Sequence, residues 1–235
     1  MLKVDLHMHS GEDPVDKGFK HDARMLIDRA SALGFDAIAI TNHEQVAYTP
    51  ALGTYARSKK FLLIPACEAS IEGKDVLIYN VTETERKAVT TFDELRALRK
   101  RRGKSILVIA PHAFYPGSVC VGRVLERHPD LFDAIEISQY HYGLMPYNKR
   151  AVRAARVLNK PLVATSDAHS FRFFGKHHTL VDAKLRVQDV LDAIRNGKCT
   201  PRPASLSFKD FLYVGRHILI FRVLGMIGIK RYQAF

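Results

Sequence analysis

The chain has 235 residues, 47% of them apolar, enough for one sizeable domain with a large core and too apolar for a disordered chain. Its 36 Lys and Arg against 24 Asp and Glu give a formal net charge of +12, which attracts phosphorylated molecules, nucleic acid or an anionic membrane face without choosing among them. Cys67, Cys120 and Cys199 are odd in number and far apart, which argues against a disulfide framework and for a reducing, cytoplasmic interior; Asp5, His7 and His9 interrupt any apolar signal-peptide run.

Residues 2–6 are expected to form a strand that leads into His7-Met8-His9. Residues i and i+2 of an extended chain point to one face, so both imidazoles can reach a single ion. A helix is expected over 21–33, stopped by Gly34. Strand-like runs at 37–40 and 61–64 lead to Asn42-His43 and to Cys67-Glu68, and Asp75 precedes a further run at 76–79. Residues 91–102 open with the capping run Thr-Phe-Asp-Glu and close in a basic turn before Gly103, which predicts a second helix. Runs at 106–109, 134–137 and 162–164 lead to His112, to Glu136 and to Asp167-Ala168-His169, with helices expected over 148–159 and 187–196. Alternating strand and helix predict a parallel sheet, open or closed into a barrel, with its site at the C-terminal ends of the strands.

Residues 1–200 are expected to form the main domain and 201–235 a C-terminal helical tail. The alternation stops at Pro201-Arg202-Pro203, and residues 208–229 are apolar with scattered basic side chains. Five ionisable residues (Lys209, Asp210, Arg216, His217 and Arg222) argue against a membrane span. The expectation is a helix docked on the domain or on a second copy of the chain, as in a homo-oligomer. The alternative is a basic amphipathic helix on a membrane surface.

Asp5-Leu6-His7-Met8-His9-Ser10, Thr41-Asn42-His43, Glu68, Pro111-His112 and Ser166-Asp167-Ala168-His169, in that order, resemble the motifs of the polymerase and histidinol phosphatase (PHP) domain superfamily. The resemblance covers residues 1 to about 200 and implies a distorted seven-stranded (β/α) barrel with two or three divalent metals at its C-terminal mouth. It implies His7 and His9 on one metal with Glu68 and Asp167, Glu68 bridging to a second that takes His112, and His43 and His169 on a third. Asp75 stands where many relatives carry a histidine, and Asp13 flanks Pro14 where they often carry an acid or histidine, so both are candidate ligands. Imidazole and carboxylate together suit Mn, Zn or Fe better than Mg or Ca. Asp5 is expected to orient an imidazole by accepting its second N–H. Glu136 either supports the site or binds solvent.

The implied reaction is hydrolysis of a small phosphorylated metabolite or nucleotide by metal-activated hydroxide, with His43 or His169 helping the leaving oxygen gain a proton. Arg172, Lys176 and His178 are candidate substrate-binding residues, and Lys17, Lys20, His141 and His177 are further cations and imidazoles on expected mouth loops. The alternatives are an exonuclease or other DNA-processing enzyme, a metal-dependent amide hydrolase, and a non-catalytic metal-stabilised binding module. The chain carries neither a polymerase body nor an obvious nucleic-acid module in its tail, so a nucleic-acid partner is not the favoured reading.

Overall fold

The computed structural model describes residues 1–16, 19–137, 147–204, 209, 210 and 212. In chain order the elements are β1 (Leu2–Asp5), α1 (Ala23–Ala32), β2 (Ala37–Ala39), α2 (Pro50–Ser58), β3 (Leu62–Ile64), β4 (Ala66–Ile71), β5 (Lys74–Tyr79), α3 (Glu83–Lys87) and α4 (Phe92–Arg102). They continue with β6 (Leu107–Ala110), α5 (Arg123–Arg127), β7 (Ala134–Ile137), α6 (Tyr147–Val157), β8 (Leu162–Ala164), β9 (His178–Val181), α7 (Val187–Arg195) and β10 (Cys199–Arg202). All seven expected strands and all four expected helices of the main domain are present. β4, β9, β10, α2, α3 and α5 were not anticipated.

Local chemistry accounts for the helix ends. Asp22 caps α1 by accepting the Met25 N–H at 2.8 Å, and Gly34 leaves the helix in a left-handed turn with φ 69°. At α4, Thr91 accepts the Glu94 N–H at 3.2 Å while Glu94 accepts the Thr91 N–H at 2.9 Å, the reciprocal box that the sequence predicts there.

The strands do not close into the expected seven-stranded barrel. They form two five-stranded mixed sheets, ordered β10-β9-β1-β2-β3 and β4-β5-β6-β7-β8. β1–β2–β3 and β6–β7–β8 are parallel, as helix crossovers require, but β4–β5–β6 and β1–β9–β10 run antiparallel. The physical reason is a tight hairpin in place of a crossover: Glu72 and Gly73 take φ 49° and 71° and turn β4 straight back into β5. Pro65, which has no N–H to give a ladder, lies between β3 and β4. Two isolated parallel bridges, Met8 to Ala168 and His43 to Glu68, link segments of the two sheets.

Burial divides the core into three. A central cluster takes Val4, Ala37 and Ile64 from one sheet and Leu77, Ile109, Ala134 and Val163 from the other, and α7 packs Val190, Leu191 and Ile194 against it. A second cluster lies between the β4–β8 sheet and α4 to α6, and a third between the β1–β3 side and α1 and α2. Each fully buried Leu, Ile or Val contributes about 1.5–3 kcal/mol, so these layers hold the strand ends rigidly in place. Among the described residues no helix is long and apolar enough to cross a membrane. Most of the expected tail helix lies outside the described residues, and Pro201 and Arg202 belong to β10 rather than to that tail.

Candidate metal centre

The segments beyond β1, β2 and β8 converge with β4 on one buried space. His7 Nε2 lies 3.2 Å from Glu68 Oε2 and 3.4 Å from Asp167 Oδ1, and His9 Nε2 lies 3.3 and 3.5 Å from the same two oxygens. His43 Nε2 approaches Glu68 Oε2 at 3.3 Å. On the other side of the carboxylate, His112 Nε2 is 3.2 Å from Glu68 Oε1 and 4.0 Å from Asp75 Oδ2. Asp13 Oδ2 faces His9 Nδ1 and His43 Nδ1, each at 3.0 Å, and accepts the His43 backbone N–H at 2.8 Å. His169 Nε2 is 3.1 Å from Asp16 Oδ2, and the His9 ring stacks between His43 and His169 with centroids 4.4 and 4.3 Å away.

Four trios have donor atoms within 4.8 Å of one another: His7-His9-Glu68, His9-Asp167-His169, His9-Asp13-His43 and Glu68-Asp75-His112. Two ligands that each sit about 2.1 Å from a tetrahedral ion are roughly 3.4 Å apart, so the observed spacings suit coordination as well as hydrogen bonding. All nine residues expected as ligands therefore lie in one connected cluster.

The electrostatics point the same way. Burial works against a charged His7 ring, yet Asp167, Glu68 and Glu136 outweigh it and push the imidazole up to about 10. His9 and His112 are likewise raised well above the ordinary range against burial, by carboxylates and, for His112, also by Cys120. Burial opposes the charge of Glu68 and Asp167 too, but the surrounding imidazoles hold both carboxyls below their usual values. Asp75 goes the other way: burial first, and then the charge of Glu68, push it up to about 6. The pocket concentrates negative charge that positive groups must balance. Two of the clustered residues, His112 and Asp167, also hold left-handed backbone, at φ 29° and 46°.

Several expectations change. Asp5 orients no imidazole; its Oδ1 accepts backbone N–H groups of Ser166 at 3.1 Å and of His7 at 3.4 Å. The imidazole of His7 turns instead to Glu136, with Nδ1 2.7 Å from Oε2. Arg172 and Lys176 do not present open cations: Arg172 Nε and Lys176 Nζ meet the buried carboxylate of Asp210 at 3.1 and 2.6 Å. His178 lies on β9 with its ring 6.0 Å from that of Phe35, and Lys3 and Arg202 nearby add to burial in lowering its pKa. His177 is fully buried, and its Nδ1 accepts the Ala204 N–H at 3.2 Å. Lys20 is exposed, and Lys17 and His141 lie outside the described residues. Sequence reasoning also missed Asp16 as the neighbour of His169, and Cys120, whose Sγ is 3.5 Å from His112 Nδ1.

Residues 146–199 match a family model described as PHP-associated. A search of curated proteins returned no match. Among solved structures, the chain resembles PsfC from Pseudomonas syringae with a TM-score of 0.63 and 19% identity, over 94% of this chain and 98% of that one. It also resembles a suggested metal-dependent phosphoesterase from Bifidobacterium adolescentis, with a TM-score of 0.52 and 14% identity, over 70% of this chain and 86% of that one. An amidohydrolase from Chromobacterium violaceum, holding sulfate and no metal, gives a TM-score of 0.51 and 14% identity over 85% and 98% of the two chains. At these identities the likeness is one of fold. The PHP-associated match is confined to residues 146–199, and the ordered motifs between Asp5 and His169 resemble those of the PHP superfamily.

Proposed function

We propose that the chain is a metal-dependent phosphoesterase that hydrolyses a small phosphorylated metabolite or nucleotide. The observation that carries this reading is the placement of Glu68, buried to 2% exposure, with His7, His9 and His43 about its Oε2 and His112 at its Oε1. A carboxylate with imidazoles on both oxygens would suit two cations, one on each side. His7, His9, Glu68 and Asp167 would hold one ion, Glu68, His112 and Asp75 a second, and Asp13, His43 and His169 a third. This nitrogen and oxygen set suits Mn, Zn or Fe. Bound there, such ions supply water activation near neutral pH and charge neutralisation at phosphoryl oxygens.

The chain's own groups do the rest. Asp13 fixes the His43 ring and backbone together, and the Asp167 carbonyl, 3.0 Å from His169 Nδ1, fixes the second ring. With only the first two ions bound, His43, the most exposed imidazole of the cluster at 22%, and His169 would be free to hand a proton to the leaving oxygen. Phosphate recognition is not assigned to Arg172 and Lys176, because Asp210 already takes both cations.

The test is a substrate panel run on protein of measured metal content. It contains a chromogenic phosphoester, nucleoside and sugar phosphates, histidinol phosphate, oligonucleotides and simple amides, each with Mn²⁺, Zn²⁺ or Fe²⁺. Turnover of a small phosphoester that disappears in His9→Ala together with bound metal is expected. Amide turnover alone, or no turnover in protein loaded with metal, overturns the reading.

A further inference from the structure

Glu136 lies outside all four trios of potential ligands, yet it is fully buried at the end of β7 and touches two of the residues in them. Its Oε2 is 2.7 Å from His7 Nδ1, and its Oε1 accepts the backbone N–H of His112 at 3.1 Å. The Nε2 atoms of those same two histidines face opposite oxygens of Glu68, each at 3.2 Å. One carboxylate thus ties a residue beyond β1 to a residue beyond β6. His112 also has an unfavourable left-handed backbone, φ 29°, whose N–H points to this acceptor.

We infer that Glu136 is the positioning residue of the two-ion site, fixing the tautomer of His7 and the seat of His112 and so the separation of the two halves that Glu68 bridges. The inference rests on the phosphoesterase reading only in that it takes the cluster to bind metal. An imidazole that ligates through Nε2 must carry its proton on Nδ1, and an ionised carboxylate is an acceptor only, so Glu136 admits that tautomer alone. A glutamine of the same shape cannot serve both partners. With its oxygen on the His112 N–H, its NH₂ faces His7 Nδ1 and drives the proton to Nε2, the nitrogen that a metal needs. Turned around, its NH₂ meets the His112 N–H head on.

The test compares wild type with Glu136→Gln. Affinities for Zn²⁺ and Mn²⁺ are measured by competition with a fluorescent chelator, and the His7 tautomer by nitrogen-15 NMR of the ring in zinc-loaded protein. The expected result is a 10- to 100-fold loss of affinity with far-UV circular dichroism unchanged and the His7 proton moved from Nδ1 toward Nε2. Glu136→Asp, which keeps an acceptor, is expected to retain the wild-type tautomer. Wild-type affinity in Glu136→Gln overturns the positioning role. If Glu136→Gln does not fold, the zinc-loaded wild type decides alone, because a His7 proton found on Nε2 refutes the assignment. Failure of wild type to bind either metal refutes the metal-centre reading instead, so the two failures are distinguishable.

Discussion

Asp75 stands where the motifs that this chain resembles often carry a histidine, and its surroundings show what a carboxyl meets there. The carboxyl is buried close to Glu68, and burial and that charge push its pKa from the ordinary 3.8 up to about 6. A folded carboxyl that keeps its proton to a higher pH than the unfolded one loses stability as pH rises across that window, here between 3.8 and about 6. Above it, in protein stripped of metal, burial and the charge of Glu68 cost the Asp75 carboxylate more than His112, His43 and His7 return. Asp75→Asn is therefore expected to stabilise the chelated protein at pH 7 by on the order of 1–3 kcal/mol, while weakening Mn²⁺ binding. Urea unfolding with chelator, beside a Mn²⁺ titration, checks both halves; a chelated variant no more stable than wild type removes the case for a cation seat there. The residues that cluster were legible in the sequence because two-residue spacing and motif order are local features. Glu136 was not assignable, because its partner His7 is 129 positions away and only the fold shows which ring it meets. Asp5, closer to the histidines in sequence, looked the better candidate and is taken up by backbone N–H groups instead.

Elements are joined by apolar packing and by ion pairs such as Arg102 of α4 with Glu85 of α3, and Asp133 makes a largely buried one. Asp133, just before β7, accepts Arg99 Nη1 and Nη2 from α4 at 2.8 and 2.9 Å, accepts the Val108 N–H of β6 at 2.8 Å, and lies 3.5 Å from Arg195 of α7. It is only 7% exposed, so its loss takes the acceptor from Arg99 and a strand N–H, while Arg195 keeps Asp192 and the Ile106 carbonyl. Asp133→Ala is expected to cost about 3–5 kcal/mol, as for other broken buried pairs. Burial raises the Asp133 pKa, but Arg99, Val108 and Arg195 outweigh it and hold the carboxyl below its usual value. Its stabilising effect is complete above the unfolded pKa and is lost as pH falls through the lowered folded one. Thermal melts over an acid series would therefore show a smaller gap between wild type and Asp133→Ala at the lowest pH; a gap independent of pH counts against the ionic account. Helix α4 was legible because its box is written within four residues. Strand β4 was hidden because Ala66-Cys67-Glu68-Ala69-Ser70-Ile71 carries one branched apolar residue, and pairing with β5 over six residue pairs, not propensity, makes it a strand. β10 was hidden by Pro201, tolerable because the strand is at the edge of its sheet.

At the scale of the whole molecule, strand–helix alternation announced parallel pairing but could not reveal the two antiparallel insertions that leave the sheets separate. The site survives that difference, because it depends on where strand ends meet and not on closure of a ladder. The fold gathers Glu68, Asp167, Asp13, Asp75 and Glu136 around buried imidazoles, a surplus of negative charge that protons or metals must balance. Without metal, the protons do so. His7, raised from 6.5 to about 10, contributes stability that is full below pH 6.5 and is lost as pH climbs toward 10. A metal displaces those protons, so its apparent affinity rises with pH. Both effects have the same sign: the gain in melting temperature from Mn²⁺ over chelator should widen steadily as pH increases from about 6.5 upward. Paired calorimetric scans at a series of pH values, with free Mn²⁺ held constant, measure that gap directly. A gap that narrows or stays level through this range means that the clustered histidines are not giving up protons to the metal, and the centre must then lie elsewhere in the chain.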